Sequence, residues 1–496
     1  MPIPVVSIQS IVIFYGHVAS NIGDVAINQG EYHLLKKAFP HASIKSVLWT
    51  ATTSKYKNMA LSSIGETAQA SFFKVSSYKG FRYLSAPDEF LKDHGAEEAD
   101  LIVLSSGEHL FSYQENLNKR NLFWRLLPAL AAKLCQKKCV LMPSTLGPFE
   151  DTLSQNLIDL FLTSIDLWAP REALTSKQLL SLKASVPDAR LDPAFFLLPP
   201  SSDTTKTVNH LPEGHIAFSM RQENIGIRLD EMQTQKLSRF GFDVFYQTCQ
   251  KILEQTNQDI VLYIQTDSDR DLVEEVIQKI TTEENQHRIF SYRPTSIENY
   301  LLCLQKSSSV ITGRFHTVIF SLILGKKVYA VYHNNHGHKM PGLFKMINKD
   351  DHCFKLTPDT ITDIPELFVE GLHNKNEKST LLPEKLETLK AETLSWLKEI
   401  DTENQKPKLE ELYRFHHQLH KLIADSLEEE IQHKFSDSKK YRRYLSTKKE
   451  KEKKLAQQHR REIISAVEKI KNSHSYKIGH LITKIVKFPA RFFFRN

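Results

Sequence analysis

The chain has 496 residues, 41% of them hydrophobic and 25% charged, which is too long for one hydrophobic core, so two folded domains with an extension are expected. The five cysteines, Cys135, Cys139, Cys249, Cys303 and Cys353, form no C-x-x-C pair, which points to a reducing compartment and away from a zinc knuckle. The net charge of +7 is unevenly spread: residues 434–496 carry 19 Lys and Arg against 5 Asp and Glu, leaving −7 on residues 1–433. An acidic body with a basic appendage fits a tether to an anionic surface and argues against nucleic acid as a partner.

Residues 5–15 read as a buried strand, followed by Gly16 and a loop to Asn21-Ile22-Gly23-Asp24. The residues before the strand, with Pro2 and Pro4 and no basic flank, lack the pattern of a signal peptide. Asp24 is the expected N-cap of a helix over 25–39. Strand-like runs at 46–49, 100–104, 139–142 and 167–169 then alternate with helical runs at 124–135 and 153–161. Repeated βα units predict a parallel sheet covered on both faces. Residues 191–212, rich in Pro, Ser and Thr, read as a linker.

A second series follows, with strands at 216–220 and 260–265, helices at 240–254, 269–280 and 297–305, and a strand running into Ile311-Thr312. The expected fold class is therefore α/β, two doubly wound Rossmann-like domains over 1–205 and 206–372. Residues 373–462 read as a charged helical stalk, with Leu382, Leu386, Leu389, Trp396 and Ile400 as its apolar stripe. Residues 463–496 form a basic amphipathic tail, in which Tyr476, Ile478, Leu481, Ile482, Ile485, Val486 and Phe488 alternate with Lys477, Lys484 and Lys487. Such a segment suits an anionic membrane surface, with a docking site on protein as the alternative. No run of about 18 apolar residues occurs, so no membrane span is expected.

Ligands of doubly wound folds bind at the carboxyl ends of strands. At such an end, Thr312-Gly313-Arg314-Phe315-His316 offers a guanidinium fork, a helix N-terminus and an imidazole, a combination that can grip phosphate or carboxylate and move a proton nearby. Arg221, after the 216–220 strand, would add a second cation. For Arg314 the competing interpretation is a structural salt bridge, and for Asn21 and Asp24 a helix cap. His333, His336 and His338 lack an accompanying carboxylate or cysteine, so no metal is expected there. Gly16, Gly23 and Gly30 are seven apart, which does not match the dinucleotide-binding fingerprint.

Seven ordered motifs over about residues 16–345 resemble the polysaccharide pyruvyl transferase family. They are Asn21-x-Gly23-Asp24, Asp100-Leu101-Ile102-Val103 before Gly107, Ser144-Thr145-Leu146-Gly147-Pro148-Phe149, Arg171-Glu172, Asp192-Pro193-Ala194, Ser219-Met220-Arg221 and Thr312-Gly313-Arg314-Phe315-His316, with Lys339 beyond. The resemblance implies a GT-B-like pair of domains and transfer of pyruvate from phosphoenolpyruvate to sugar hydroxyls. It implies His316 as the acid that protonates the donor, Arg221, Arg314, the Phe315 backbone N–H and Lys339 as donor contacts, and Asn21, Asp24, Glu108, His109 and Arg171 as cleft or acceptor residues. No cofactor beyond phosphoenolpyruvate as co-substrate is expected. Ser105-Ser106-Gly107-Glu108-His109 departs from the family's usual glycine-rich turn, and Phe315 stands where leucine is commoner.

The expected partners are a glycan acceptor, lipid-linked if the tail meets membrane, and the anionic membrane itself; the oligomeric state is left open. The expected location is cytoplasmic, peripheral at the inner face of the plasma membrane. A GT-B glycosyltransferase using a nucleotide sugar, or a family member without catalysis, are the alternatives.

Overall fold

A computed structural model describes residues 8–17, 21–49, 69–73, 86–112, 119–179, 184–200, 210–221, 231–333, 338–373, 381–401 and 409–435, with Tyr83 and Leu182. The basic tail over 463–496 lies outside the described residues, as do His336 and the end of the expected stalk.

In chain order the N-terminal domain comprises β1 (Ser10–Gly16), α1 (Ile22–Ala38), β2 (Ser43–Trp49), β3 (Gln69–Phe73), α2 (Pro87–Asp93), β4 (Leu101–Leu104), β5 (Leu110–Ser112), α3 (Lys119–Leu134), β6 (Lys138–Ser144), β7 (Leu146–Phe149), α4 (Thr152–Leu162), β8 (Leu167–Pro170) and the short α5 (Thr175–Gln178). The C-terminal domain continues with β9 (Ile216–Ser219), α6 (Glu231–Gln255), β10 (Ile260–Tyr263), α7 (Arg270–Ile280), β11 (Ile289–Tyr292), α8 (Ile297–Gln305), β12 (Ser309–Thr312), α9 (Phe315–Ile323), β13 (Lys327–Tyr332), α10 (Lys339–Met346), β14 (Cys353–Lys355) and α11 (Ile364–His373). Two further helices, α12 (Leu381–Lys398) and α13 (Leu409–Phe435), follow.

Each domain is built on a six-stranded sheet, in the orders β3-β2-β1-β4-β6-β8 and β11-β10-β9-β12-β13-β14. The pairing is parallel throughout, with Ile11 opposite Leu101 in one domain and Ser309 opposite Ile216 in the other. Strands buried on both faces need continuous apolar runs, and β4 (LIVL) and β10 (IVLY) are buried at every position. In each sheet the strand order reverses beside the first strand of the domain, at β1/β4 and β9/β12, and such switch points open the crevice in which ligands bind. The result is the expected pair of Rossmann-like domains in a GT-B-like arrangement.

Three expectations change. Asn21, not Asp24, caps α1, its side chain accepting the Gly23 N–H, while Asp24 sits in the first turn, where the helix dipole favours a carboxylate. The 191–212 segment is not all linker. Leu191 to Leu197 are buried, and Pro193–Phe196 form a 3₁₀ turn packed into the core against α1. Ala194, Phe195 and Phe196 outweigh the Pro and Ser content that suggested a linker. The described part of the stalk is likewise no free arm: Leu386, Leu389, Trp396, Leu397 and Ile400 join the main core, and Phe415 and Leu419 join the core of the N-terminal domain. The Thr393 hydroxyl accepts from the Leu191 N–H at 3.0 Å, and Lys138 Nζ donates to the Ile400 carbonyl at 2.7 Å. The chain thus crosses back onto the first domain after completing the second.

The main core runs across both domains, joining Ile22, Val25 and Ala26 of α1 to Phe315, Val318 and Ile319 of α9 and to Ala194 and Phe195 of the 3₁₀ turn. Gly30 permits that closeness, since a Cβ there would lie 2.1 Å from the Pro193 carbonyl oxygen. Gly30→Ala should therefore lower stability by roughly 1–3 kcal/mol, because backbone must move and the overpacking cost exceeds the gain in helix propensity. Thermal denaturation of the variant checks it, and an unchanged Tm would contradict that close contact.

Candidate active site between the domains

All but one of the motifs converge near the carboxyl ends of both sheets; Asp100 lies at the amino end, accepting the Gln9 and Ser10 N–H groups. Arg171, just after β8, is 2% exposed and donates from Nε to the Thr145 hydroxyl at 2.8 Å and from Nη1 to Asp192 Oδ2 at 2.7 Å. Its guanidinium also lies over the Phe315 ring, 4.8 Å from the centroid, so an N-terminal-domain cation covers the turn that starts α9. Asp192 accepts the Ala194 N–H with its other oxygen at 2.8 Å, and His316 Nε2 approaches Oδ2 at 3.8 Å. Lys339, the first residue of α10, pairs across the cleft with Glu108 from the turn after β4. Arg221, Gly313, His333, Lys339 and Met340 line a cavity of about 10 Å³, close to the volume that holds one water.

His316 is buried, and its Nε2 has no hydrogen-bond partner among the described residues. Burial first, then the positive charges of Arg171 and Lys339, with His17 and Arg314 behind them, push its pKa well below 6.5, so the imidazole is neutral at physiological pH. The first turn of α1 presses on it. A Cβ on Gly23 would come within 2.5 Å of His316 Nδ1, so the glycine of the Asn21-x-Gly23-Asp24 motif makes room for the histidine of the other domain. Asn21 crosses the same cleft, its Oδ1 accepting from Gln265 Nε2 at 2.8 Å.

Other candidates sit differently from expectation. Arg314 is engaged by the C-terminal domain itself: its Nη2 pairs with the buried Asp269 and donates to the Thr266 hydroxyl at 3.0 Å. The structural salt bridge that the sequence left open is therefore formed, and Arg314 adds charge near His316 while its guanidinium anchors the turn before α9. His109 is a wall residue. Its carbonyl accepts from Arg125, its ring stands edge-on to His17 at 6.5 Å, and burial with the Arg125 charge lowers its pKa well below 6.5. His338 faces Glu172, at 3.4 Å, and the Thr175 hydroxyl, at 3.0 Å. Among the described residues no group of three metal-ligating side chains converges.

The residue that sequence reasoning missed is Glu31. It is fully buried on α1, accepts the Ser106 N–H on one oxygen and the Ser105 hydroxyl on the other, at 2.9 Å, and lies near Asp192. The Ser105-Ser106 pair that departs from the glycine-rich turn is thus the partner of a buried carboxyl, and together they hold the turn that carries Glu108 and His109. A signal existed, since Glu31 falls four residues after Ile27 and three before Leu34, on the apolar stripe of its helix.

Burial raises the Glu31 pKa from 4.5 to about 8, against the opposing bonds from Ser106 and Ser105. A carboxyl with a raised native pKa keeps in the folded state a proton that the unfolded chain gives up. Its contribution to stability is therefore full below pH 4.5 and is lost as pH rises to 8. Glu31→Gln, which mimics the protonated form, should match wild type near pH 5 and gain on it by a few kcal/mol at pH 8.5 in denaturation curves. A constant difference across that range would contradict a protonated Glu31.

The fold has solved counterparts. A protein described as a UDP-N-acetylglucosamine 2-epimerase from Listeria monocytogenes superposes with a TM-score of 0.51 at 14% identity, over 81% of this chain and 99% of its own. The UDP-GlcNAc 2-epimerase of Neisseria meningitidis, bound to UDP-GlcNAc, gives 0.50 at 11% identity, over 78% and 99%. At such identities the likeness is one of fold alone. No curated protein matches the chain significantly in sequence. The sequence model of the polysaccharide pyruvyl transferase family, in contrast, matches residues 21–335, from the Asn21 cap through the Arg314-Phe315-His316 turn. With that match spanning both Rossmann-like domains and the cleft residues between them, the chain belongs to the polysaccharide pyruvyl transferase family.

Proposed function

We propose that this enzyme moves a pyruvyl group from phosphoenolpyruvate to a pair of hydroxyls on a cell-envelope glycan, forming a ketal and releasing phosphate. The observation that carries this reading is the cationic enclosure of His316, buried against the first turn of α1, by Arg171, Lys339 and Arg314, each of which is held by a carboxylate of the protein. Phosphoenolpyruvate brings a carboxylate and a phosphate, which such an enclosure compensates. The same anions would oppose the Arg171 and Lys339 charges that add to burial in keeping the imidazole neutral, so donor binding would raise the His316 pKa and let it hold the proton that the methylene carbon of the donor receives. Arg221 and Lys339, beside the small cavity, would take the phosphate. The Phe315 N–H, at the first turn of α9, supplies a further donor group.

The acceptor would enter from the N-terminal side, where Asn21 and Glu108 reach across the cleft to Gln265 and Lys339, with Asp24 and His109 as the further candidates. The basic segment 463–496 would hold the enzyme at an anionic membrane surface on the cytoplasmic side, where a lipid-linked glycan could reach the cleft.

The test is phosphate release from phosphoenolpyruvate in the presence of methyl pyranosides of glucose, galactose and mannose, whose neighbouring hydroxyl pairs can close a ketal. Release with at least one acceptor, and its loss by a factor of about 10² or more in a folded His316→Ala variant, is the expected result. Hydrolysis of a nucleotide sugar with no release from phosphoenolpyruvate would sink the donor assignment, and undiminished turnover in His316→Ala would sink the role of His316.

A further inference from the structure

Lys339 and Glu108 belong to different domains, yet their side chains are only 12% and 21% exposed and form an ion pair. Three effects bear on that lysine. Burial and the positive charges of Arg221 and Arg171 disfavour its ammonium, and the carboxylate of Glu108 favours it. Glu108 thus supplies, from the protein itself, the anion that Lys339 requires. The cavity next to Lys339, lined also by Arg221, has room for one water at about 10 Å³. An anionic ligand that binds the Lys339 ammonium competes with the Glu108 carboxylate that now holds it.

We propose that Glu108 is a stand-in for the donor phosphate that becomes the base for the acceptor: phosphate takes its place on Lys339, and the released carboxylate removes the proton of the attacking sugar hydroxyl. This inference rests on phosphoenolpyruvate being the donor. The step balances as follows. The acceptor oxygen bonds to C2 of the donor as its proton passes to Glu108, and the C2–C3 π pair takes a proton from His316 at C3, giving the methyl group. The second hydroxyl then bonds to C2 and returns a proton to His316, while the C2–O bond to phosphate breaks and the leaving phosphate takes the proton from Glu108. Both residues end as they began, and the products are the ketal and hydrogen phosphate. No oxidant, metal or further reactant is needed.

Glu108 suits the two roles because of where it is carried. It follows β4 in the turn held by Ser105, Ser106 and Glu31, so it sits on the N-terminal wall, opposite the donor groups on β9, α9 and α10. A carboxylate present only to stabilise the closed cleft would make donor binding weaker or leave it unaffected when removed. A competitor of the donor does the reverse, because its removal frees Lys339 and abolishes the cost of parting the pair.

The experiment is calorimetric titration of phosphoenolpyruvate into wild type, Glu108→Gln and Lys339→Met, with phosphate release measured on the same samples and the methyl pyranosides above. The expected result is a Kd for phosphoenolpyruvate about tenfold lower in Glu108→Gln with turnover reduced by a factor of about 10² or more, and at least tenfold weaker binding in Lys339→Met. A Glu108→Gln enzyme that binds the donor no more tightly than wild type, or that keeps its turnover, overturns the inference while leaving the donor assignment in place. If Glu108→Gln does not fold, unchanged donor affinity in Lys339→Met overturns it. A wild type that binds no phosphoenolpyruvate overturns the donor assignment and this inference together.

Discussion

Three cations, the buried Arg171 and the mostly buried Lys339 and Arg314, each face a carboxylate and govern the site: Arg171 on Asp192, Lys339 on Glu108 and Arg314 on Asp269. Taking a charge out of water costs several kcal/mol unless a partner compensates it, and breaking such a pair by removing one member costs about 3–5 kcal/mol. The Lys339 pair crosses from one domain to the other, and Arg171 reaches across to the face of Phe315. The closed position of the domains is therefore tied to the electrostatics of the site. A hydrophobic core shared by α1 and α9 joins the halves, and compensation of charge sets the cleft beside it.

Close packing sharpens the same link. Gly23 leaves just enough room for His316, and Asn21 caps α1 with the oxygen that accepts from Gln265. A motif that looks like an ordinary helix start is also a contact between domains. The Ser105-Ser106 turn is another case. Its serines serve the buried Glu31, so its departure from a glycine-rich sequence preserves a wall carrying Glu108 and His109, which runs against the idea that the departure marks a member without catalysis.

Much of the fold was legible in sequence because buried parallel strands are continuous apolar runs and their helices recur between them, as at residues 100–104, 139–142 and 260–265. Short or polar elements were not. β11 reads Ile-Phe-Ser-Tyr and is only half-buried over most of its length, and β14 is three residues long. The 3₁₀ turn at Pro193–Phe196 was hidden by the Pro and Ser around it, and α12 and α13 looked like a stalk because their exposed faces are heavily charged. At the site, residue type and position picked out Arg314 and His316, and the family resemblance added Arg171 and Lys339, but partners belong to three dimensions. Sequence could not show that Asp269 would engage Arg314, or that Glu31 would be buried against Ser105 and Ser106.

The central claim is that the positive field at His316 exists for an anionic donor. Its most direct test is the titration of the His316 imidazole by nuclear magnetic resonance, assigned through His316→Asn, with and without phosphoenolpyruvate. The free enzyme should keep this ring neutral down to a pH well below 6.5, for the reasons of burial and nearby Arg171 and Lys339 charge, and the donor should move the titration upward. A ring that titrates near 6.5 in the free enzyme and does not respond to phosphoenolpyruvate would contradict the account.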